Sequence, residues 1–187
     1  MTYGQEPDGL DVKGIEFLTS ARDMFKNLGD SLNHAKCTYF LEQIYYWAER
    51  YDEALTIGRA AVKEHEDIGQ YAGDPMMILG RALFMKEMYQ NALETFVRTL
   101  EICKSYGRPA DIAQALEMIG RTWARLDRKA DAQGVYAEAM RYYGAIQMEQ
   151  GQQDIMRCRF LIRQAEDPLL VPTDEEREAL LVFYNGF

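Results

Sequence analysis

The chain repeats itself at an interval of 40 residues, and that self-similarity limits its fold more than any other feature. Met76-x2-Leu79-Gly80-x2-Leu83, followed by Ala92-x3-Phe96, aligns with Leu116-x2-Ile119-Gly120-x2-Trp123, followed by Ala132-x3-Tyr136. A weaker copy precedes them as Thr38-x2-Leu41-Glu42-x2-Tyr45, then Ala54-x3-Gly58. The alanines Ala54, Ala92 and Ala132 are 38 and 40 residues apart, and Gly29, Gly69 and Gly107 are 40 and 38 apart.

These glycines can adopt the left-handed conformation that closes a helix, so they mark helix C-termini. Between them, apolar residues recur at helical spacing, as in Ala92, Leu93, Phe96, Val97, Leu100 and Cys103. The pattern predicts a lone second helix over 11–28 and three helix pairs: 32–48 with 51–68, 74–88 with 90–106, and 110–126 with 129–147. A further helix over 151–166 follows. The five prolines all fall at predicted boundaries or in the tail. Small residues at the repeated Gly and Ala positions let paired helices approach closely, and Phe96 and Tyr136 fill the space between neighbours. One such pair cannot bury its apolar face alone, whereas stacked pairs share a core.

The alternation resembles the tetratricopeptide repeat, whose W-x2-L-G-x2-Y and A-x3-F pattern the second and third copies match closely. The resemblance covers residues 11–166. Its 40-residue unit is most similar to the long variant of kinesin light chains and several bacterial regulators. Glu42 and Gly58 depart from the pattern, and no unit ends in the family's proline. The resemblance implies an all-α, right-handed superhelix of antiparallel helix pairs, about three full repeats with flanking helices. It also implies a concave face lined by the first helix of each pair, where such proteins bind peptides or protein segments.

Helical register nominates groove residues on that face: Tyr39, Gln43 and Tyr46, then Met77, Arg81 and Phe84, then Glu117, Arg121 and Arg125. The expected groove has an aromatic end (Tyr39, Tyr46, Phe84) and a basic end (Arg81, Arg121, Arg125). It suits a protein or peptide with apolar and acidic side chains. The family's clamp for chaperone C-terminal tails uses Lys and Asn where this chain has Tyr39, Gln43, Met77 and Arg81, so that ligand is not expected.

Composition narrows the alternatives. With 48% apolar and 27% charged residues, the chain is that of a folded globular protein. A net charge of -9 argues against nucleic acid, whose binding needs clustered Lys and Arg. The charge is uneven, since residues 1–75 carry 7 basic against 14 acidic side chains. Cys37, Cys103 and Cys158 form no CxxC pair, and they read as reduced, half-buried thiols. No apolar run reaches the roughly 18 residues that span a bilayer. A cytoplasmic location without membrane insertion is expected.

No GxSxG, HExxH, P-loop or GxGxxG string occurs. His34 and Cys37 share a helix face, but two ligands do not make a zinc site. No catalytic residue, cofactor or metal is therefore expected, and the chain reads as a scaffold or adaptor and not as an enzyme. Residues 1–10 are expected to be a disordered tail. Residues 167–187 form a C-terminal extension in which Thr173-x-x-Glu176 predicts a capping box. The helix it opens carries Leu180, Leu181, Val182, Phe183 and Tyr184, and either folds back on the repeats or docks on a neighbouring copy. A homo-oligomer through that helix or the terminal repeats is the alternative function.

Overall fold

The computed structural model describes residues 9–145 and 149–185, and its described elements are all helices. They are α1 (Gly9–Asn27), α2 (Ser31–Trp47), α3 (Tyr51–Asp67), α4 (Gly73–Met85), α5 (Tyr89–Ser105), α6 (Pro109–Arg125), α7 (Lys129–Ala145), α8 (Glu149–Glu166) and α9 (Asp174–Asn185). The all-α arrangement of repeated antiparallel helix pairs follows the sequence reading. α1 begins two residues earlier than expected; most of the proposed N-terminal tail, residues 1–8, lies outside the described residues, as do 146–148, which hold the predicted end of α7.

The helix ends explain why the pairs form where they do. Gly29, Gly69 and Gly107 all have positive φ, between 63° and 71°. Each donates its N–H to a carbonyl three residues back, and the next residue reaches the carbonyl five back, as in Gly29 to Lys26 at 3.1 Å and Asp30 to Phe25 at 2.9 Å. This double bond pattern satisfies carbonyls that a helix end leaves unpaired. The turns inside each pair use the same geometry without glycine. Glu49, Glu87 and Asp127 take φ of 56°, 59° and 59°, and Glu87 donates to the Phe84 carbonyl at 3.0 Å. Hence α4 stops at Met85, three residues short of the sequence-based end.

The chain divides into two compact units, one ending at Thr95 and the other beginning at Phe96. In the first, α1 packs on α2, α2 on α3 and α3 on α4, while α2 also touches α4. Its core includes Ala35, Leu41, Ala54, Ala61, Met76 and Ala82. Here the repeat pattern is inverted. Glu42 occupies the usual small position and Gly58 the usual aromatic one, and a Cβ on Gly58 would lie 2.3 Å from Glu42 Oε1. The long side chain fills the space that the missing aromatic leaves.

In the second unit, α6 packs on α7, α7 on α8 and α8 on α9, and α6 touches α8. Ala113, Leu116, Ile119, Ala132, Tyr136, Phe160 and Ala179 are buried. The regular pattern holds, since a Cβ on Gly120 would meet the Tyr136 ring at 2.5 Å. Only glycine allows that ring its place. The predicted capping box is present: Thr173 N–H donates to Glu176 Oε2 at 2.9 Å, and Glu176 N–H donates to Thr173 Oγ1 at 3.3 Å. α9 folds back against α8. All three cysteines are free and buried, deeper than the half-buried state expected of them.

Candidate functional site

The first helices of the first unit, α2 and α4, bring six of the nominated groove residues together. Tyr39, Gln43, Tyr46 and Phe84 are half-buried, whereas Met77 and Arg81 are 7% and 4% exposed. Gln43 Nε2 donates to the Tyr39 hydroxyl at 2.6 Å. Burial, together with the nearby charge of Asp74 and Glu42, pushes the Tyr39 phenol up to about 12 despite the opposing field of Arg81. Tyr39 is thus a neutral hydroxyl on an apolar ring, held in place by an amide. Tyr46 stacks edge-on with Trp47, centroids 5.0 Å apart, and Phe84 does so with Tyr89 at 5.3 Å. The result is a ring-lined face.

Sequence reasoning passed over two aromatics on α2. Phe40 and Trp47 are 45% and 40% exposed, seven residues apart on one helix stripe. Their signal was available, because that spacing places large apolar residues on a common face.

Glu117 and Arg121, nominated as groove residues of the second unit, are turned inward. Glu117 is fully buried and Arg121 is 9% exposed. Arg157 on α8 grips the carboxylate of Glu117 with Nε to Oε1 and Nη2 to Oε2, both at 2.7 Å. Arg121 adds Nε to Oε1 at 3.1 Å and the Tyr143 hydroxyl donates to Oε2 at 3.0 Å. Asp154 pairs with Arg157 at 2.7 Å, and Arg157 Nη1 reaches the Ala179 carbonyl of α9 at 3.4 Å.

Burial would raise the Glu117 pKa, but Arg121 and then Arg157 overcome it and hold the group down to about 2. The network is an ionised, hydrogen-bonded brace joining α6, α7, α8 and α9. Cys158, whose Sγ lies 4.0 Å from Glu117 Oε2, is raised by burial and by that carboxylate. Such a thiol is inert. Of the three nominated arginines, Arg125 alone is exposed.

His34 and Cys37 do not converge on a shared ligand. His34 Nδ1 lies 3.1 Å from the Arg22 carbonyl and Nε2 lies 3.3 Å from Glu64 Oε1. Among the described residues, no three His, Cys, Asp or Glu side chains gather as a metal site would, and no helix is long and apolar enough to cross a membrane.

No family model and no curated protein matches the chain. Solved structures do resemble it. The apo form of RapI superposes with a TM-score of 0.75 at 18% identity, covering 94% of this chain and 48% of that one. A Rap protein complexed with Competence and Sporulation Factor gives 0.68 at 15% identity, over 94% and 52%. A putative kinesin light chain from Podosopora anserina with nearly identical TPR-like repeats gives 0.67 at 14%, over 93% and 85%. The chain thus spans about half the length of the two Rap structures. Likeness at these identities establishes the fold: this is an all-helical repeat protein resembling TPR-like and Rap repeats.

Proposed function

We propose that the chain is a protein-interaction module, a scaffold or adaptor, whose α2 and α4 face in the first unit captures a segment of another protein. The concentration of accessible rings there, Tyr39, Tyr46 and Phe84, carries this reading. Rings supply large contact area at little entropic cost, and such residues dominate binding energy at interfaces. One of the Rap structures of the same fold is a complex with Competence and Sporulation Factor. That property belongs to that protein, and it supports looking for a bound partner here.

The buried state of Arg81 and Arg121 shifts the expected ligand from an acidic segment toward an apolar one, since neither guanidinium is accessible for an incoming carboxylate. Arg81 instead offsets part of the field that Asp74 and Glu42 exert on Tyr39. The reading assigns the chain no catalytic step and places it in the cytoplasm.

The test is selection of binders from a displayed random-peptide library, followed by mapping on the protein by NMR. Shifts confined to α2 and α4 are expected, and Tyr46→Ala with Phe84→Ala should weaken binding by at least about ten-fold, as for central aromatic anchors. Peptides that bind with full strength to the double variant would refute this face.

A further inference from the structure

Two sets of exposed apolar side chains in the first unit converge on one place that no described helix covers. The first lies on α1. Its terminal glycine, Gly29, has the register of Gly69, so α1 is a second helix like α3 and each of its residues corresponds to one 40 further on. Phe17, Met24 and Leu28 therefore correspond to Ile57, Glu64 and Ile68. In α3 that stripe faces α2, the first helix of its own pair. Glu64 Oε1 lies 3.3 Å from His34 Nε2 of α2, and Ile57 lines a cavity of about 290 Å³ with Tyr45 of α2. On α1 the same stripe has no first helix against it among the described residues. Phe17 is 75% exposed, Met24 64% and Leu28 75%.

The second set is Phe40 on α2. Its counterparts in the later first helices, Ile78, Met118 and Cys158, are 6%, 3% and 0% exposed, against 45% for Phe40. Cys158 shows what covers this position. Its sulfur lies 4.0 Å from Glu117 on α6, the preceding first helix. Phe40 thus points to where a first helix paired with α1 would lie. Both sets call for one amphipathic helix running antiparallel to α1.

We propose that a second copy of this chain supplies that helix with its own α1, giving a two-fold dimer across an antiparallel α1 pair. The stripe is self-complementary. An antiparallel register centred between Ser20 and Ala21 sets Phe17 opposite Met24 of the second copy, and the reverse, as an isologous contact requires. The short side chains Ser20 and Ala21 at the crossing let the helix axes approach closely. Charge permits this seam. Residues 1–75 carry 7 basic and 14 acidic groups, yet α1 balances Asp11, Glu16 and Asp23 with Lys13, Arg22 and Lys26. Two copies therefore meet along α1 without the net repulsion that a chain of charge -9 otherwise carries.

The contact is small. A helix of 19 residues is about 28 Å long at 1.5 Å per residue, and one such pair falls short of the roughly 1,200 Å² of a standard stable interface. A dissociation constant on the order of 10 to 100 µM follows for such a low-end contact.

Sedimentation of the full chain across that concentration range tests the dimer. A monomer–dimer equilibrium is expected, weakened at least about ten-fold by Phe17→Glu with Met24→Glu. Both side chains are mostly exposed, so the variant keeps its fold, which circular dichroism checks. Ser20→Cys should form an intermolecular disulfide on mild oxidation, because it sits beside the two-fold axis while Cys37, Cys103 and Cys158 are buried. A monomer throughout would overturn the proposal. So would a dimer that survives the double variant, or one lost only when residues 168–187 are removed. Peptide capture on the α2 and α4 face is independent of these α1 variants, which separates this outcome from the proposed function.

Discussion

The guanidinium of Arg157 holds both carboxylate oxygens of Glu117 at 2.7 Å, and the two residues stand 40 positions apart, one repeat interval. They occupy equivalent places on neighbouring first helices, so the repeat itself brings them face to face. A buried pair of this kind adds little net stability over an apolar equivalent, but breaking it is costly because one charge stays behind.

Arg157→Met is therefore expected to destabilise the protein by about 3 to 5 kcal/mol in urea denaturation. Glu117→Leu combined with Arg157→Met should recover part of that loss, since both charges of the ion pair leave together and Arg121 alone stays buried. A double variant no better than the single would show that the brace contributes attraction beyond satisfying its own charges.

Glu42 and Glu117 respond to pH in opposite directions. Glu117 is held below its ordinary 4.5 by Arg121 and Arg157 once burial is overcome, so its contribution is present above pH 4.5 and is lost as pH falls toward 2. Glu42 is fully buried with no hydrogen-bond partner for either oxygen, and burial raises it well above 4.5. Its neutral form is favoured in the fold, so stability is full below pH 4.5 and is lost as pH rises through the raised value. Glu42→Met should stabilise the protein by about 1 to 3 kcal/mol, with a gain that is larger at pH 8 than at pH 5. A gain independent of pH, measured by urea denaturation at both, would contradict a raised Glu42.

The inverted Glu42 and Gly58 pair should be convertible to the regular arrangement of Gly120 and Tyr136. Gly58→Tyr alone drives a ring into the Glu42 carboxyl and is expected to cost about 1 to 3 kcal/mol. Glu42→Gly with Gly58→Tyr gives the ring its space, so a double-mutant cycle should show a coupling of about 1 to 3 kcal/mol. Additive effects would mean that the two positions do not share a volume.

Left-handed turn positions give a contrast in sign. A Cβ on Gly107 has nothing within 4 Å, so Gly107→Ala meets backbone strain alone, about 1 to 2 kcal/mol. Asp127 already bears that strain at φ 59°. Asp127→Gly relieves it against an unfolded-chain entropy cost of about 0.4 to 1 kcal/mol, for a net gain of up to about 1.6 kcal/mol. Thermal melts of the two variants should move in opposite directions.

Much of the fold was legible because glycine, alanine and aromatic residues at fixed spacing each do one steric job. Gly29, Gly69 and Gly107 announced the ends of second helices, and Thr173 with Glu176 announced the start of α9. The ends of first helices carried no such mark, since Glu49, Glu87 and Asp127 adopt left-handed φ under the pull of the two hydrogen bonds that follow each helix. The candidate site was legible in register but not in depth. Helical spacing nominates Tyr39, Met77 and Glu117 alike, yet α2 meets α4 in the first unit and α6 meets α8 in the second, and each meeting buries part of that stripe. The pairing of Glu117 with Arg157 was readable as opposite charges one repeat interval apart, a sign that the position faces its neighbour and not a guest.

The chain has two tryptophans, and Trp123→Phe leaves Trp47, whose ring lies edge-on to Tyr46 of the proposed binding face at 5.0 Å, as the sole indole reporter. Titration of that variant with a library-selected peptide, with binding established separately by calorimetry, tests the central claim. A saturating change in Trp47 emission at the calorimetric affinity is predicted. Binding that leaves Trp47 emission unchanged would contradict it.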